Sequence, residues 1–467
     1  MFHFIRLLLF PVLLCAAEPS PSVTQPASIL AELPVDTVWS GHPVTFAFLT
    51  ERGHQFIAYY DAERRITVAG RRLDETGWTK MHPEGVALPN RDGRASNITG
   101  WDSHNYLALV LDRDGYLHLS GNMHNDPLCY YRSSRPFDVS SLERIERMTG
   151  ARESSVTYPV FFKNAAGDLL FRYRDGSSGN GSDIYNRYDT ATRAWANLLE
   201  TPLLDGQGQR NAYAMSPVLG PDGRFHLVWM WRESPDCSSN HTLSYARSPD
   251  MIHWERCDGT PLSLPITLKT GEVIDAAPEK QGLINMTFNL GFDAGNRPVV
   301  VYHRYDAKGK SQAFAARPSA DASKWETSQL SDWDFRWGFS GGGSIIAEVT
   351  LGAATIQTDG SLLVDFSTTH DVGAGRWRLD PATLRPRTTL PPPANVLPAS
   401  LAAPVSVTPG IEVQTAVSRE GGRRWVLRWE TLPRNRDRPR DSAPLPTALS
   451  VYELPDADTG GALRVGS

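Results

Sequence analysis

Two histidines, a tyrosine and an arginine occupy matching places in two successive hairpin-like stretches of this 467-residue chain. In WDSHNYLALVLDRDGYLHLSGNMHN, His104 and His124 stand almost symmetrically about Asp112-Arg113-Asp114-Gly115, which carries the turn chemistry of a short hairpin loop. Pairing across that turn would set the two imidazoles opposite each other to within one residue, a mismatch a β-bulge absorbs. In TYPVFFKNAAGDLLFRYR the turn falls at Asn164–Gly167, with Tyr158 and Arg174 nearly symmetric about it. Any one of these residues is commonplace at a strand end; two matched pairs in adjacent hairpins favour a chemical reading. Imidazole and phenol can hand protons on near neutral pH, and guanidinium can neutralise a carboxylate bidentately. Together they suit proton transfer beside a carboxylate. The C5 hydrogen of a uronic acid is such a proton: removing it requires that the neighbouring charge be neutralised, a base supplied and the departing C4 oxygen protonated.

Two further stretches repeat the layout. NAYAMSPVLGPDGRFHLVWMWR turns at Gly220–Gly223 and brings Asn211 and Tyr213 near Met230 and Arg232, while NMTFNLGFDAGNRPVVVYHR turns at Asp293–Asn296 and sets Asn285 opposite Arg304. The turn tips are bland Asp, Gly and Pro; the opposite ends are polar, aromatic and cationic. Hairpins arranged about an axis would gather those ends on one face. Tyr213, Asn105, Asn125, Arg232 and Arg304 are therefore candidate substrate contacts, with Arg210 and His303 as further rim candidates.

The elements that must position these side chains are repeats. Turn glycines at Gly115, Gly167, Gly223, Gly295 and Gly360 recur at intervals from 52 residues (Gly115 to Gly167) to 72 (Gly223 to Gly295), enough for about four short strands each. VTFAFLT, QFIAYYD and RITVAGRRL form one more unit upstream, and EVQTAVS, RRWVLRWE and ALSVYEL a last one downstream. The expected fold is all-β: a β-propeller of seven blades, give or take one, each a four-stranded antiparallel sheet. Asp74-x3-Trp78, Asp250-x3-Trp254 and Asp321-x3-Trp325 resemble degenerate Asp-boxes, in which the Asp caps a turn and the Trp packs between blades. The Pro-rich segment 390–407 reads as a linker before the last blade or a strap around it, and LERIERMTG from Leu142 as a turn or two of helix. RNRDRPRD, from Arg434, is a mixed-charge run expected in an exposed loop, and Gly341-Gly342-Gly343 a close-packed turn near the funnel.

A net charge of −5 provides no overall electrostatic attraction for nucleic acid, so an anionic ligand must be held by a local cluster. The start of the chain, MFHFIRLLLFPVLLCAA, has the basic, apolar and small-residue order of a secretory leader, with cleavage after Ala17. Residues 18–467 then form a single propeller domain without a membrane span, secreted or periplasmic, and expected to be monomeric because a closed ring needs no partner.

Cys237, His241, His253 and Cys257 make a second constellation. Two cysteines and two histidines at loop-like spacing match a closed tetrahedral zinc site; an exported protein could equally join Cys237 to Cys257 as a disulfide. Cys129 would then be an unpaired buried thiol.

The passages WDSHNYLALVLDRDGYLHL with MHN, TYPVFF with LLFRYRDG, NAYAMSPVLGPDGRFHLVWMWR and GLINMTFNLGFDAGNRPVVVYHRYD resemble the neuraminidase-repeat propeller family that includes seven-bladed ulvan lyases, across roughly residues 95–310. The resemblance implies His104 and His124 as the catalytic histidines, Tyr158 as the catalytic tyrosine, Arg174 as the carboxylate neutraliser and Tyr213 as an additional tyrosine. It implies a secreted lyase that cleaves an acidic, uronate-containing polysaccharide by β-elimination, ulvan being the best single candidate. Proton abstraction would fall to His104 or Tyr158. It also implies a structural zinc on cysteine and histidine ligands, here Cys237, His241, His253 and Cys257, and no organic cofactor. The alternatives are a sialidase-like exo-glycosidase and a carbohydrate-binding propeller without catalysis.

Overall fold

The computed structural model describes residues 28–455 apart from 89, 90, 92 and 394–396, so the expected leader lies outside the described residues. Among them the chain forms seven antiparallel sheets, taken up in sequence order. In the first, Ala47–Glu51, His54–Tyr60, Ile66–Arg72 and Thr79–Met81 pair each with the next. The second is built on Leu107–Leu111, Leu117–Gly121, Tyr130–Ser133 and Leu142–Arg144. Leu142–Arg144 pairs with Tyr131–Ser133 as a strand, so the short helix expected there does not form.

The last sheet joins the two ends of the described residues. Glu412–Glu420, Arg423–Thr431 and Thr447–Pro455 make a meander, and Ala31–Val38 adds to its outer edge by pairing with Thr447–Pro455. The segment before it lies against that sheet: Leu401 is buried with Val426 and Leu454, and Arg428 donates to the Leu401 and Ala403 carbonyls. Central strands such as Phe225–Arg232 are buried along their whole length, because both faces are covered by neighbouring sheets. The apolar faces of successive sheets pack on one another, giving several clusters instead of one central core.

The Asp-Gly turns are pinned by a repeated device. Asp112 accepts the backbone N–H groups of Asp114 and Tyr116, and buried His118 spans from Asp112 (3.5 Å) to the Tyr130 hydroxyl (2.7 Å). In the DGRFH stretch, His226 spans Asp222 (2.9 Å) and the Tyr245 hydroxyl (2.6 Å). Asp250 and Asp321 cap their turns through the backbone N–H groups of Ile252, His253 and Ser323, and Trp254 and Trp325 follow them inward. At Asp293–Asn296 it is Asn296, not Gly295, that takes the left-handed conformation (φ 61°).

Candidate active site

The hairpin that carries both histidines stops pairing before it reaches them. Its last rung is Leu107 with Gly121; beyond it the chain crosses to the next sheet, where His124 pairs with Thr157 and Asp126 with Val156. Asp126 secures the crossing by accepting the His124 backbone N–H (2.9 Å) and an ion pair from Arg91 (2.8 Å), which also donates to the His124 carbonyl. The imidazoles are brought together by Asp102, two residues before His104. One of its carboxylate oxygens accepts the backbone N–H and Nδ1 of His104 (2.9 and 2.6 Å); the other accepts Nδ1 of His124 (2.5 Å). The two rings stack with centroids 4.0 Å apart.

A carboxylate only accepts, so both Nδ1 atoms carry the proton in these bonds. In a neutral imidazole the lone pair then sits on Nε2, and neither Nε2 has a hydrogen-bond partner among the described residues. Burial pushes the Asp102 carboxyl up, but the hydrogen bonds from His104 and His124 outweigh it and hold the group well below the usual carboxylate range. Burial depresses His124, keeping it neutral at ordinary pH. These three residues are also the one group of metal-ligating type whose ligand atoms lie within 4.8 Å among the described residues. Separations of 2.5 and 2.6 Å are nonetheless hydrogen bonds: two ligands of one zinc ion, at about 2.0–2.1 Å each and a tetrahedral angle, stand about 3.3 Å apart.

Tyr158 lies in a bulge. Thr157 pairs with Arg174 and Val160 with Arg172, so Tyr158 and Pro159 bulge out of the ladder, and Tyr158 takes a left-handed backbone (φ 59°) unusual for a bulky residue. Its ring lies 5.6 Å from His104 and 6.2 Å from Tyr213, and the Arg174 guanidinium sits 5.0 Å from its centroid. Burial raises the Tyr158 phenol, and the neighbouring Tyr213 adds to the rise, so it stays protonated.

Two guanidinium groups flank Tyr213. Arg174 donates to Gly176 O and Thr157 Oγ1 (both 3.0 Å) and approaches the Tyr213 hydroxyl at 3.5 Å. Arg232 donates to that hydroxyl (3.0 Å), to Asn240 (2.7 Å) and to Asn285 (2.8 Å). Ser178 shares the same hydroxyl at 2.6 Å. Burial raises Tyr213, but Arg232 and Arg174 reverse the sign and leave its phenol below the usual value. Among the described residues neither arginine is paired with a carboxylate, whereas buried Arg172 is paired with Asp183 at 2.7 Å. A pair of buried cations without a counter-charge is a ready-made anion site.

Several expected members lie elsewhere. Asn105 is buried, with its side chain toward Thr99 and its carbonyl accepting from Tyr60, so it supports the fold and does not face a ligand. Asn125 is exposed at the rim and accepts from Ser155. Arg304 does not meet Asn285: the ladder ends at Asn289 with Val301, Asn285 turns to Arg232, and Arg304 is taken by Asp275 at 2.8 Å. Arg210 is likewise held by Glu233 (2.7 Å), and His303 is fully buried.

The cysteine and histidine set is not gathered. His241 opens the strand Asn240–Ser248 and His253 lies beyond its far end, so roughly 20 Å of extended chain separates them. His241 bonds Glu233, His253 is exposed beside Asp250, and the Cys257 thiol donates to Glu272. Cys237 and Cys257 are both free and buried, as is Cys129, so neither the zinc set nor the disulfide is formed. These four residues do not fit one ion.

Two acidic residues complete the site unforeseen. Asp102 sits in an Asp-x-His spacing that the hairpin reading passed over. Asp437 belongs to the mixed-charge run assigned to an exposed loop, yet its carboxylate accepts the backbone N–H groups of Ser103 (3.0 Å) and Ser344 (2.6 Å) and comes within 3.7 Å of His104 Nδ1. Gly343 makes that approach possible, since a Cβ there would lie 2.5 Å from the Arg436 carbonyl oxygen.

Comparison with known proteins bears on the same region. The model of the BNR repeat-containing family matches residues 54–333, more than half of the chain. The chain belongs to that family. Within this BNR-repeat chain, 157 residues are 24% identical to the short isoform of ulvan lyase from Alteromonas sp. (strain LOR), a match that spans 30% of this chain and 29% of that relative. Among solved structures, the polysaccharide lyase Uly1 superposes with a TM-score of 0.58 at 15% identity, covering 92% of this chain and all of that one. An ulvan lyase bound to -[GlcA(1-4)Rha3S]- gives the same TM-score at 14% identity, over 91% of this chain and 96% of that one. The protein thus shares the propeller-like, all-β architecture of these lyases and resembles them in family.

Proposed function

We propose that this protein is an exported, seven-bladed propeller lyase that cleaves a uronate-containing, sulfated polysaccharide of the ulvan kind by β-elimination. The observation that carries this reading is the uncompensated Arg174/Arg232 pair around Tyr213, set beside two imidazoles whose Nε2 lone pairs are free. A uronate carboxylate placed on the arginines would lose its charge, lowering the cost of forming a carbanion at C5. His104 Nε2 takes the C5 proton; the electron pair forms the C4–C5 double bond as the C4–O bond breaks; the Tyr158 phenol, kept protonated by its surroundings, donates to the departing oxygen. The family relation to ulvan lyases and the Rha3S-linked glucuronate bound by one structural relative support the substrate class. The leader-like order of basic, apolar and small residues in MFHFIRLLLFPVLLCAA supports export, and no helix among the described residues is long and apolar enough to cross a membrane.

The test is to incubate the purified protein with ulvan and a panel of other uronate polysaccharides and to follow the ultraviolet absorbance of the unsaturated uronate. A rise on ulvan that is lost in Arg174→Ala is the expected result. Reducing ends without that absorbance would make the protein a hydrolase instead.

A further inference from the structure

We infer that Asp102 is the positioning residue of this site: one carboxylate fixes both His104 and His124 as Nδ1–H tautomers, so that both present an unprotonated Nε2 to the substrate. The inference rests on the lyase reading only for what the imidazoles then do; the tautomers are a property of the free protein. Each imidazole could satisfy its needs in two ways, and without a shared acceptor a solvent-facing histidine is free to carry its proton on either nitrogen. Here that freedom is removed twice by the same group, at 2.6 Å for His104 and 2.5 Å for His124. The histidines come from different stretches of chain, and His124 is already committed by its backbone to the next sheet, so the carboxylate also sets the 4.0 Å stacking distance across the junction.

Asp102 is itself held in place from the far end of the sequence. Asp437 accepts the Ser103 N–H between Asp102 and His104, and its other oxygen accepts the Ser344 N–H. On the remaining side, His42 and Trp101 lie with ring centroids 6.1 Å apart, and Trp39 donates to His42 Nδ1. Within this surround each carboxylate oxygen is aimed at one imidazole, Oδ1 at His104 and Oδ2 at His124. An amide in the same place can accept from only one of them. Its NH2 group would oppose the other Nδ1–H and drive that ring to the Nε2–H tautomer, which has no lone pair left for the substrate. A comparable loss of a tautomer-fixing carboxylate acts on turnover more than on binding, because the substrate-binding arginines are untouched.

The experiment labels the histidine ring nitrogens of the full chain with 15N and assigns His104 and His124 by their single alanine variants. Both rings should show a pyridine-type Nε2 and a protonated Nδ1 in the native protein. In Asp102→Asn at least one should switch, with kcat down about 10²-fold or more and KM changed less than about threefold on the uronate polysaccharide. Asp102→Glu, which keeps two acceptors, should hold both tautomers. An Nε2–H form of either ring in the native protein overturns the inference, and so do unchanged tautomers in Asp102→Asn. If Asp102→Asn does not fold, the native spectrum alone decides. Native tautomers as stated, in a protein that yields no unsaturated uronate on any substrate, would leave the positioning role standing and remove the lyase reading.

Discussion

Two pairs of histidines in this protein meet carboxylates, and they end up with opposite roles. His118 and His226, at the turn ends of their sheets, are fully buried, each with one ring nitrogen on an aspartate and the other on a tyrosine hydroxyl. His104 and His124, at the opposite ends, share one aspartate through Nδ1 and remain 20% and 28% exposed with Nε2 unbonded among the described residues. A histidine bonded on both sides is a bridge that pins a turn. Here one bonded on a single side, with its other nitrogen accessible beside the arginines, is an oriented base. The distinction is geometric: the same His–Asp pairing occurs in both places, and what differs is whether the second nitrogen faces protein or substrate.

The sharpest way to break this comparison is to delete one histidine of each kind. His104→Ala should lower the rate of unsaturated-uronate formation by about 10³-fold or more, with a melting temperature close to native. His118→Ala should do the reverse, removing two buried bonds and leaving the Tyr130 hydroxyl with the Trp195 N–H as its remaining partner, at a cost on the order of 3 kcal/mol in denaturant unfolding. Equal losses of stability in both variants would erase the division.

A third fully buried histidine sharpens it. His303 donates from Nδ1 to the Gly282 carbonyl (2.7 Å), has no partner for Nε2 among the described residues, and burial lowers its pKa to about 4. The unfolded chain takes up this proton near pH 6.5 and the folded one only near 4, so unfolding is favoured progressively as pH falls through that window. The loss amounts to about 3 kcal/mol by pH 4 and none of it appears above pH 7. Stability measured against pH should flatten across that interval in His303→Gln. Smaller in scale, Arg232→Lys should raise KM about tenfold while kcat stays within a few-fold, since lysine cannot reproduce the fork that meets Tyr213, Asn240 and Asn285. The smallest effect is expected for Asn105→Ala, about 1 kcal/mol of stability with the activity per folded molecule unchanged.

Much of the site was legible in the sequence because hairpin symmetry is a local property. His104, His124, Tyr158, Arg174, Tyr213 and Arg232 all fall at strand ends opposite recognisable turns, and the structure brings them to one locality. What was hidden depends on where pairing stops. The ladders end at Leu107 with Gly121 and at Asn289 with Val301, so His124 leaves for the next sheet and Asn285 meets Arg232 in place of Arg304. Asp437 could not be read because its partner, Ser103, lies more than three hundred residues earlier, beyond any local pattern. The Cys237/His241 and His253/Cys257 pairs looked like one cluster on paper because sequence spacing conceals the extended strand Asn240–Ser248 between them. The pairing of Ala31–Val38 with the last sheet is hidden because it joins segments some four hundred residues apart, like the contact of Asp437 with Ser103.

The most direct measurement is the initial rate of absorbance from unsaturated uronate on ulvan for three proteins of verified fold: native, His104→Ala and His226→Ala. Turnover by the native protein, its loss in His104→Ala, and its retention per folded molecule in a destabilised His226→Ala would establish that the one-sided histidines do the chemistry. Turnover that survives in His104→Ala, or that disappears equally in His226→Ala, would contradict it.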